Sequence, residues 1–110
     1  MPNKIKFKLG QLGEIEGRIE NGKIHIDNIL VEDLVRKHGI GRVLIKTLEQ
    51  EARKKGIKKI TLNAEPLRGA DHPFYFYIKM GYRIDKKKFQ LNLKTALKNG
   101  WDIPMYKILN

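Results

Sequence analysis

The chain has 110 residues, 23 of them Lys or Arg and 12 Asp or Glu, for a formal net charge of +11; that length fits one core and is too short for two. It lacks cysteine, which excludes disulfides, thiolate zinc sites and a cysteine nucleophile, and no apolar run approaches the ~20 residues of a membrane span. The opening MPNKIKFKLG alternates charge with apolar groups and forms no signal-peptide core, so a single domain over 1–110, cytoplasmic and without a metal site, is expected.

In chain order, KIKFKL sets Ile5, Phe7 and Leu9 against lysines, the period of a half-buried strand. GEIEGRIENGKIHIDNILV predicts a hairpin, because Asn21-Gly22 is a turn signal between two alternating runs. In the second run Ile24 and Ile26 share one parity, and Ile29 and Val31 share the other. Either a β-bulge at Asp27 and Asn28 or, since Leu30 is also apolar, a strand buried on both faces explains this pattern.

From Gly41 onward Leu44, Leu48 and Ala52, supported by Val43 and Ile45, recur at helical spacing, and Lys54, Lys55 and Gly56 close the helix. IKKITLNA gives a strand through Ile57, Ile60 and Leu62. A right-handed crossover makes the two strands of such a unit parallel. After the loop EPLRGADH, Pro73 opens a short aromatic helix, FYFYIKM, which stops at Gly81. YRID resumes a strand, FQLNLKTALKNG sets Phe89, Leu93, Ala96 and Leu97 on one helical face, and IPMYKIL is a final strand.

The sign of the charge changes at Arg36: residues 1–35 hold five basic and six acidic side chains, residues 36–110 eighteen and six. Such a positive field draws nucleic acid, acidic membrane or a phosphorylated cofactor. At the same place Gly39 and Gly41 lead into the helix among Arg36, Lys37, His38 and Arg42. A helix N-terminus offers unpaired N–H groups and a partial positive charge, and glycines remove the Cβ atoms that would keep a phosphate away. Arg36-x-x-Gly39-x-Gly41 therefore reads either as a pyrophosphate cradle with Lys37, His38 and Arg42 adding charge-assisted contacts, or as a sharp turn with solvated basic residues. It matches neither the Walker P-loop nor the dinucleotide fingerprint.

The segment ILVEDLVRKHGIGRVLIKTLEQEARKKGIKKITLNA, with FYIKMGY after it, resembles the GNAT superfamily of acetyl-CoA-dependent N-acetyltransferases. Arg36, Gly39 and Gly41 match the family's Arg/Gln-x-x-Gly-x-Gly/Ala segment. Phe76, Tyr77, Lys79, Gly81 and Tyr82 match its aromatic pair, basic residue and Gly-aromatic mark. The resemblance, over about residues 24–84, implies a mixed, mostly antiparallel sheet in an α/β fold, flanked by helices, with a central parallel pair splayed at a bulge. It also implies acetyl-CoA as cosubstrate, with the amides of Gly39, Ile40, Gly41 and Arg42 on the pyrophosphate, Ile29, Leu30 and Val31 on the pantetheine arm, and Tyr77 and Lys79 at the cofactor.

Acetyl transfer needs an unprotonated amine, an oxyanion donor and a proton for the leaving thiolate. The resemblance assigns the donor to a backbone N–H near Leu30 or Val31 and the proton to Tyr77; packing against the sheet through Phe74, Tyr77 and Ile78 explains the same helix without chemistry. Where many members carry a glutamate this chain has Asn63, which leaves Glu65, Asp27 and His25 as substitutes for the base. The asparagine that members often place ahead of the aromatic helix is missing from GADHPFYFY. The family's N-terminal helices are reduced or absent ahead of the Gly-rich loop, so the acceptor wall is absent, supplied by Phe89–Trp101 or supplied by a second chain; a homodimer is the expectation, because a shortened domain leaves apolar surface to cover. The alternatives are a basic nucleic-acid-binding module using lysines such as Lys54, Lys58 and Lys86, and a family member that binds acetyl-CoA without turnover.

Overall fold

The computed structural model describes residues 3–31, 39–66 and 72–110. Along these run β1 (Asn3–Leu9), β2 (Gly13–Glu20), β3 (Lys23–Val31), α1 (Ile40–Lys54), β4 (Lys59–Ala64), α2 (Phe74–Lys79), β5 (Arg83–Ile84), α3 (Leu93–Asn99) and β6 (Ile103–Ile108). The strands form one mixed sheet in the order β1-β2-β3-β4-β6-β5, antiparallel apart from one parallel pair, with helices flanking it. This is the mixed α/β class expected from the sequence. Among the described residues no helix is long and apolar enough to cross a membrane. The chain divides into two compact units, Met1–Ile60 with Ile108–Asn110, and Thr61–Lys107.

In the first unit β1, β2 and β3 form an antiparallel meander, with Leu9 opposite Gly13 at one end and Glu20 opposite Lys23 at the other. Asn21 and Gly22 close the second hairpin with φ of 51° and 75°, the two positive values that a type I′ turn requires. The parity change has its cause in the register: Glu16 faces Asn28 but Gly17 faces Ile26, so Asp27 is the extra residue of a β-bulge. Of the two sequence readings, the bulge is the one realised. Helix α1 packs on one face of the meander. Ile15, Ile24, Leu44, Ile45, Leu48 and Ala52 are buried there, each of the larger side chains contributing about 1.5–3 kcal/mol by leaving water. A Cβ at Gly13 would sit 3.1 Å from Ile40 and 3.2 Å from Leu44, which fixes the parity of β2: Gly13, Ile15 and Gly17 face the helix, while Glu14, Glu16 and Arg18 face away.

That outer face is charged. Cross-strand rows Lys8–Glu14–Leu30, Lys6–Glu16–Asn28 and Lys4–Arg18–His25 run over it, with ion pairs from Lys6 to Glu14 at 3.2 Å and from Arg18 to Asp27 at 2.9 Å.

In the second unit β5 pairs antiparallel with β6, placing Arg83 opposite Tyr106 and Ile84 opposite Met105. Leu62, Ala64, Phe74, Tyr77, Tyr82, Ala96, Ile103 and Met105 are buried. Helix α2 stops where the sequence predicts: Gly81 takes a left-handed φ of 94°, letting the Tyr82 N–H reach back to the Tyr77 carbonyl at 2.9 Å. Phe74 and Tyr77 point inward as expected, but Ile78 is 41% exposed. Helix α3 begins at Leu93 and does not reach back to Phe89. Asp85 captures the Lys87 N–H and its carbonyl takes the Phe89 N–H, while the Asn92 side chain accepts from the Thr95 N–H at 3.1 Å. These local bonds end one turn and start the next.

Candidate functional site

In the first unit α1 begins directly behind Gly39. Gly39 is the N-cap, with φ 79° and ψ 12°; it has no side chain to bond the first-turn amides, and that turn contains no acidic residue. Among the described residues a Cβ at Gly39 would meet nothing within 4 Å, yet an L side chain is strained at that φ. The first helical bond runs from the Val43 N–H to the Gly39 carbonyl at 3.1 Å, which leaves the amides of Ile40, Gly41 and Arg42 without intrahelical acceptors. The sequence reading put both glycines ahead of the helix, whereas Gly41 lies within the first turn. Arg42 is exposed. Arg36, Lys37 and His38, also assigned to the cradle, lie outside the described residues.

Beyond the bulge, Ile29, Leu30 and Val31 stand opposite Ile15, Glu14 and Gly13. Leu30 is 42% exposed. Next to it opens a cleft of about 390 Å³, walled by Lys8, Gln11, Gly13, Glu14, Leu30 and Val31. Sequence reasoning missed Lys8, Gln11 and Glu14 because their proximity to Leu30 depends on strand register. Asp27, one of the candidate bases, has both carboxylate oxygens engaged by Arg18 Nε, at 2.9 and 3.0 Å. His25 stands opposite Arg18.

The second unit brings Tyr77 and Glu65 into electrostatic contact. Tyr77 is 5% exposed, set edge-on to the rings of Phe76 and Tyr82 at 5.2 and 5.9 Å. Burial, and after it the negative charge of Glu65, push its phenol up to about 12. Glu65 follows β4 and is itself held above the ordinary carboxylate value, first by partial desolvation, then by the charge of Asp102 and the hydrogen bond between the two side chains. Asp102 was not singled out in the sequence; it precedes β6, far from Glu65 along the chain. Another feature not anticipated is His72, whose Nδ1 accepts from the Phe74 N–H at 3.2 Å, so that Nε2 donates to the Trp101 carbonyl at 2.8 Å and fixes the backbone next to Asp102. Asn63 and Lys79 are both exposed, the latter in the last turn of α2.

The sequence model of the acetyltransferase (GNAT) family matches residues 9–82. Glucosamine 6-phosphate N-acetyltransferase of Trypanosoma brucei brucei is 30% identical over 69 residues, 63% of this chain and 44% of that protein. PaiA N-acetyltransferase from Thermoplasma acidophilum, solved in complex with coenzyme A, superposes with a TM-score of 0.68 at 25% identity, over 88% of this chain and 53% of that one. This chain thus spans about half the length of those two relatives. The anti-CRISPR protein AcrVA5 shares the fold at a TM-score of 0.71 and 23% identity, over 94% of this chain and 97% of its own. With two thirds of its residues under the family model, the chain belongs to the acetyltransferase (GNAT) family.

Proposed function

We propose that the protein transfers the acetyl group of acetyl-CoA to a primary amine by direct attack in a ternary complex. The observation that carries this reading is the start of α1. A fifteen-residue helix begins behind a left-handed glycine that has no side chain to cap its first amides, and among the described residues nothing lies where the Cβ of Gly39 would point. An anion such as a pyrophosphate supplies what that terminus lacks. The relative solved with coenzyme A supports the same ligand here.

In this reading the amides of Ile40, Gly41 and Arg42 bind the pyrophosphate, with Arg42 and the Arg36–His38 segment adding charge. The backbone of Ile29–Val31 pairs with the pantetheine arm, and an N–H at Leu30 or Val31 donates to the developing oxyanion. The thioester supplies an activated acyl group when bound. Tyr77 donates a hydrogen bond to the leaving sulfur. Its raised pKa of about 12 keeps the phenol protonated at neutral pH, but against a thiol near ~8.5 full proton release is uphill by about 5 kcal/mol. Tyr77 therefore acts through its hydrogen bond and not by giving up the proton ahead of sulfur departure. Glu65 takes the role of proton acceptor. A carboxylate held above its ordinary pKa is a better base, whereas Asp27 is already tied to Arg18.

Thermal unfolding with acetyl-CoA, CoA and 3′,5′-adenosine bisphosphate tests the reading. Saturable stabilisation of about 2.7 kcal/mol is expected at a hundredfold excess over Kd, a shift on the order of 10 °C for a domain of this size. No shift with any of the three overturns it.

A further inference from the structure

We propose that the cleft between the β1–β2 turn and the end of β3 binds the acceptor, and that the acceptor is a small primary amine that also carries an anionic group. The proposal rests on the acetyltransferase reading for the reaction, and on the cleft itself for the ligand. The cleft measures about 390 Å³, within the range of small-molecule sites. Leu30 and Val31 form one side of it; these are the residues assigned to the thioester arm, so a ligand seated here lies against the strand that presents the acyl group.

Glu14 identifies the end that takes the amine. It lines the cleft from β2, directly across from Leu30. Its Oε2 is shielded from water and accepts no hydrogen bond. The 3.2 Å approach of Lys6 Nζ to that oxygen is a charge contact without hydrogen-bond alignment, made by a side chain 47% exposed. A substrate ammonium can take the place of the long, flexible Lys6 at that oxygen and add an aligned N–H donor.

Lys8 identifies the other end. It stands on β1 in register with Glu14 and lines the same cleft, so the site offers one carboxylate and one ammonium. A phosphorylated amine satisfies both, whereas a polyamine meets Lys8 and a protein of net charge +11. Gln11, from the turn, adds an amide that can bond hydroxyls or phosphate oxygens.

The test is titration calorimetry, with and without CoA, of glucosamine 6-phosphate, glucosamine and spermidine into the wild type, Glu14→Gln and Lys8→Glu. Glucosamine 6-phosphate is expected to bind at least ~10-fold more tightly than glucosamine. Glu14→Gln, which keeps the side-chain shape, should weaken both by a similar factor, and Lys8→Glu should abolish the preference for the phosphate ester. Failure of glucosamine 6-phosphate to bind, affinity untouched by both substitutions, or tighter binding of spermidine overturns the proposal. Acetyl-CoA is titrated alongside. Acetyl-CoA binding without amine binding sinks the cleft assignment alone, and amine binding with the expected pattern but without acetyl-CoA binding sinks the transferase reading alone.

Discussion

Replacing Tyr77 by Phe removes one hydroxyl from a buried aromatic cluster and leaves the ring in place, so its effects isolate the phenol. In the folded protein the hydroxyl ionises at about 12, against ~10 in an unfolded chain. The sign follows: the fold favours the neutral phenol, so stability attributable to Tyr77 is intact below pH 10 and is lost as pH rises from 10 to 12. The loss works out at about 1.4 kcal/mol at pH 11 and about 2.7 kcal/mol in full. Urea unfolding at pH 9 and pH 11 should therefore show a fall in the wild type that is smaller by about 1.4 kcal/mol in Tyr77→Phe. The difference in absorbance at 295 nm between the two proteins should show no tyrosinate from Tyr77 below about pH 11. In catalysis the variant should keep its affinity for acetyl-CoA and lose about 10- to 150-fold in kcat, the worth of a hydrogen bond to a charged group. A Tyr77 phenol titrating near 10, or parallel alkaline destabilisation of both proteins, would refute the burial argument; full kcat in the variant would remove the phenol from the reaction.

Gly41→Glu puts a carboxylate into the first turn of α1, and the stabilisation by acetyl-CoA in thermal unfolding should disappear; an unchanged shift in a folded variant would remove the cradle. Gly13→Ala brings a Cβ to 2.8 Å from the Leu30 carbonyl oxygen, a backbone atom that cannot swing aside, so scanning calorimetry should show a loss of about 1–3 kcal/mol, each unit lowering Tm by roughly 4–8 °C. An unaltered Tm would mean that β2 and β3 shift freely. Glu65→Gln should lower kcat by about 100-fold or more and abolish an acidic limb of the pH–rate profile. That limb should lie above the ordinary carboxylate value, because protonating the raised Glu65 as pH falls removes the base; a limb that survives the substitution belongs to another group.

What could be read in the sequence was local. The Asn21-Gly22 turn and the parity switch at Asp27 both follow from neighbours in the chain, and both are found where the sequence puts them. So does the stop of α2 at Gly81, where one left-handed residue decides the geometry. Spacing misled at Phe89, which matches the helical period of α3 while the side chains of Asp85 and Asn92 assign the same backbone to two separate turns. It also misled at Ile78, which has the right interval for a core position and the wrong environment. The pairing of β1 with β2 was invisible, and with it the row Lys8–Glu14–Leu30. The approach of Asp102 to Glu65 was equally hidden, since it depends on backbone around Trp101 that His72 holds by a bond no local pattern signals.

Alternation along β1, β2 and β3 divides stability from recognition. Ile15 and Ile24 are fully buried on the face against α1, where truncation to alanine costs about 2–5 kcal/mol. On the other face, Lys6, Glu14, Arg18 and Asp27 make partly exposed ion pairs, each worth no more than about 1 kcal/mol. A sheet face finished with paired charges needs no helix over it to be stable. The same face can therefore carry polar groups chosen for a ligand, and its residues can be exchanged with little effect on folding. Glu14 lies one residue from Ile15 along β2, yet altering Glu14 changes what the cleft can bind, whereas altering Ile15 changes whether the meander holds α1. A variant that loses amine binding through Glu14 at unchanged Tm is thus evidence about the cleft and not about the fold.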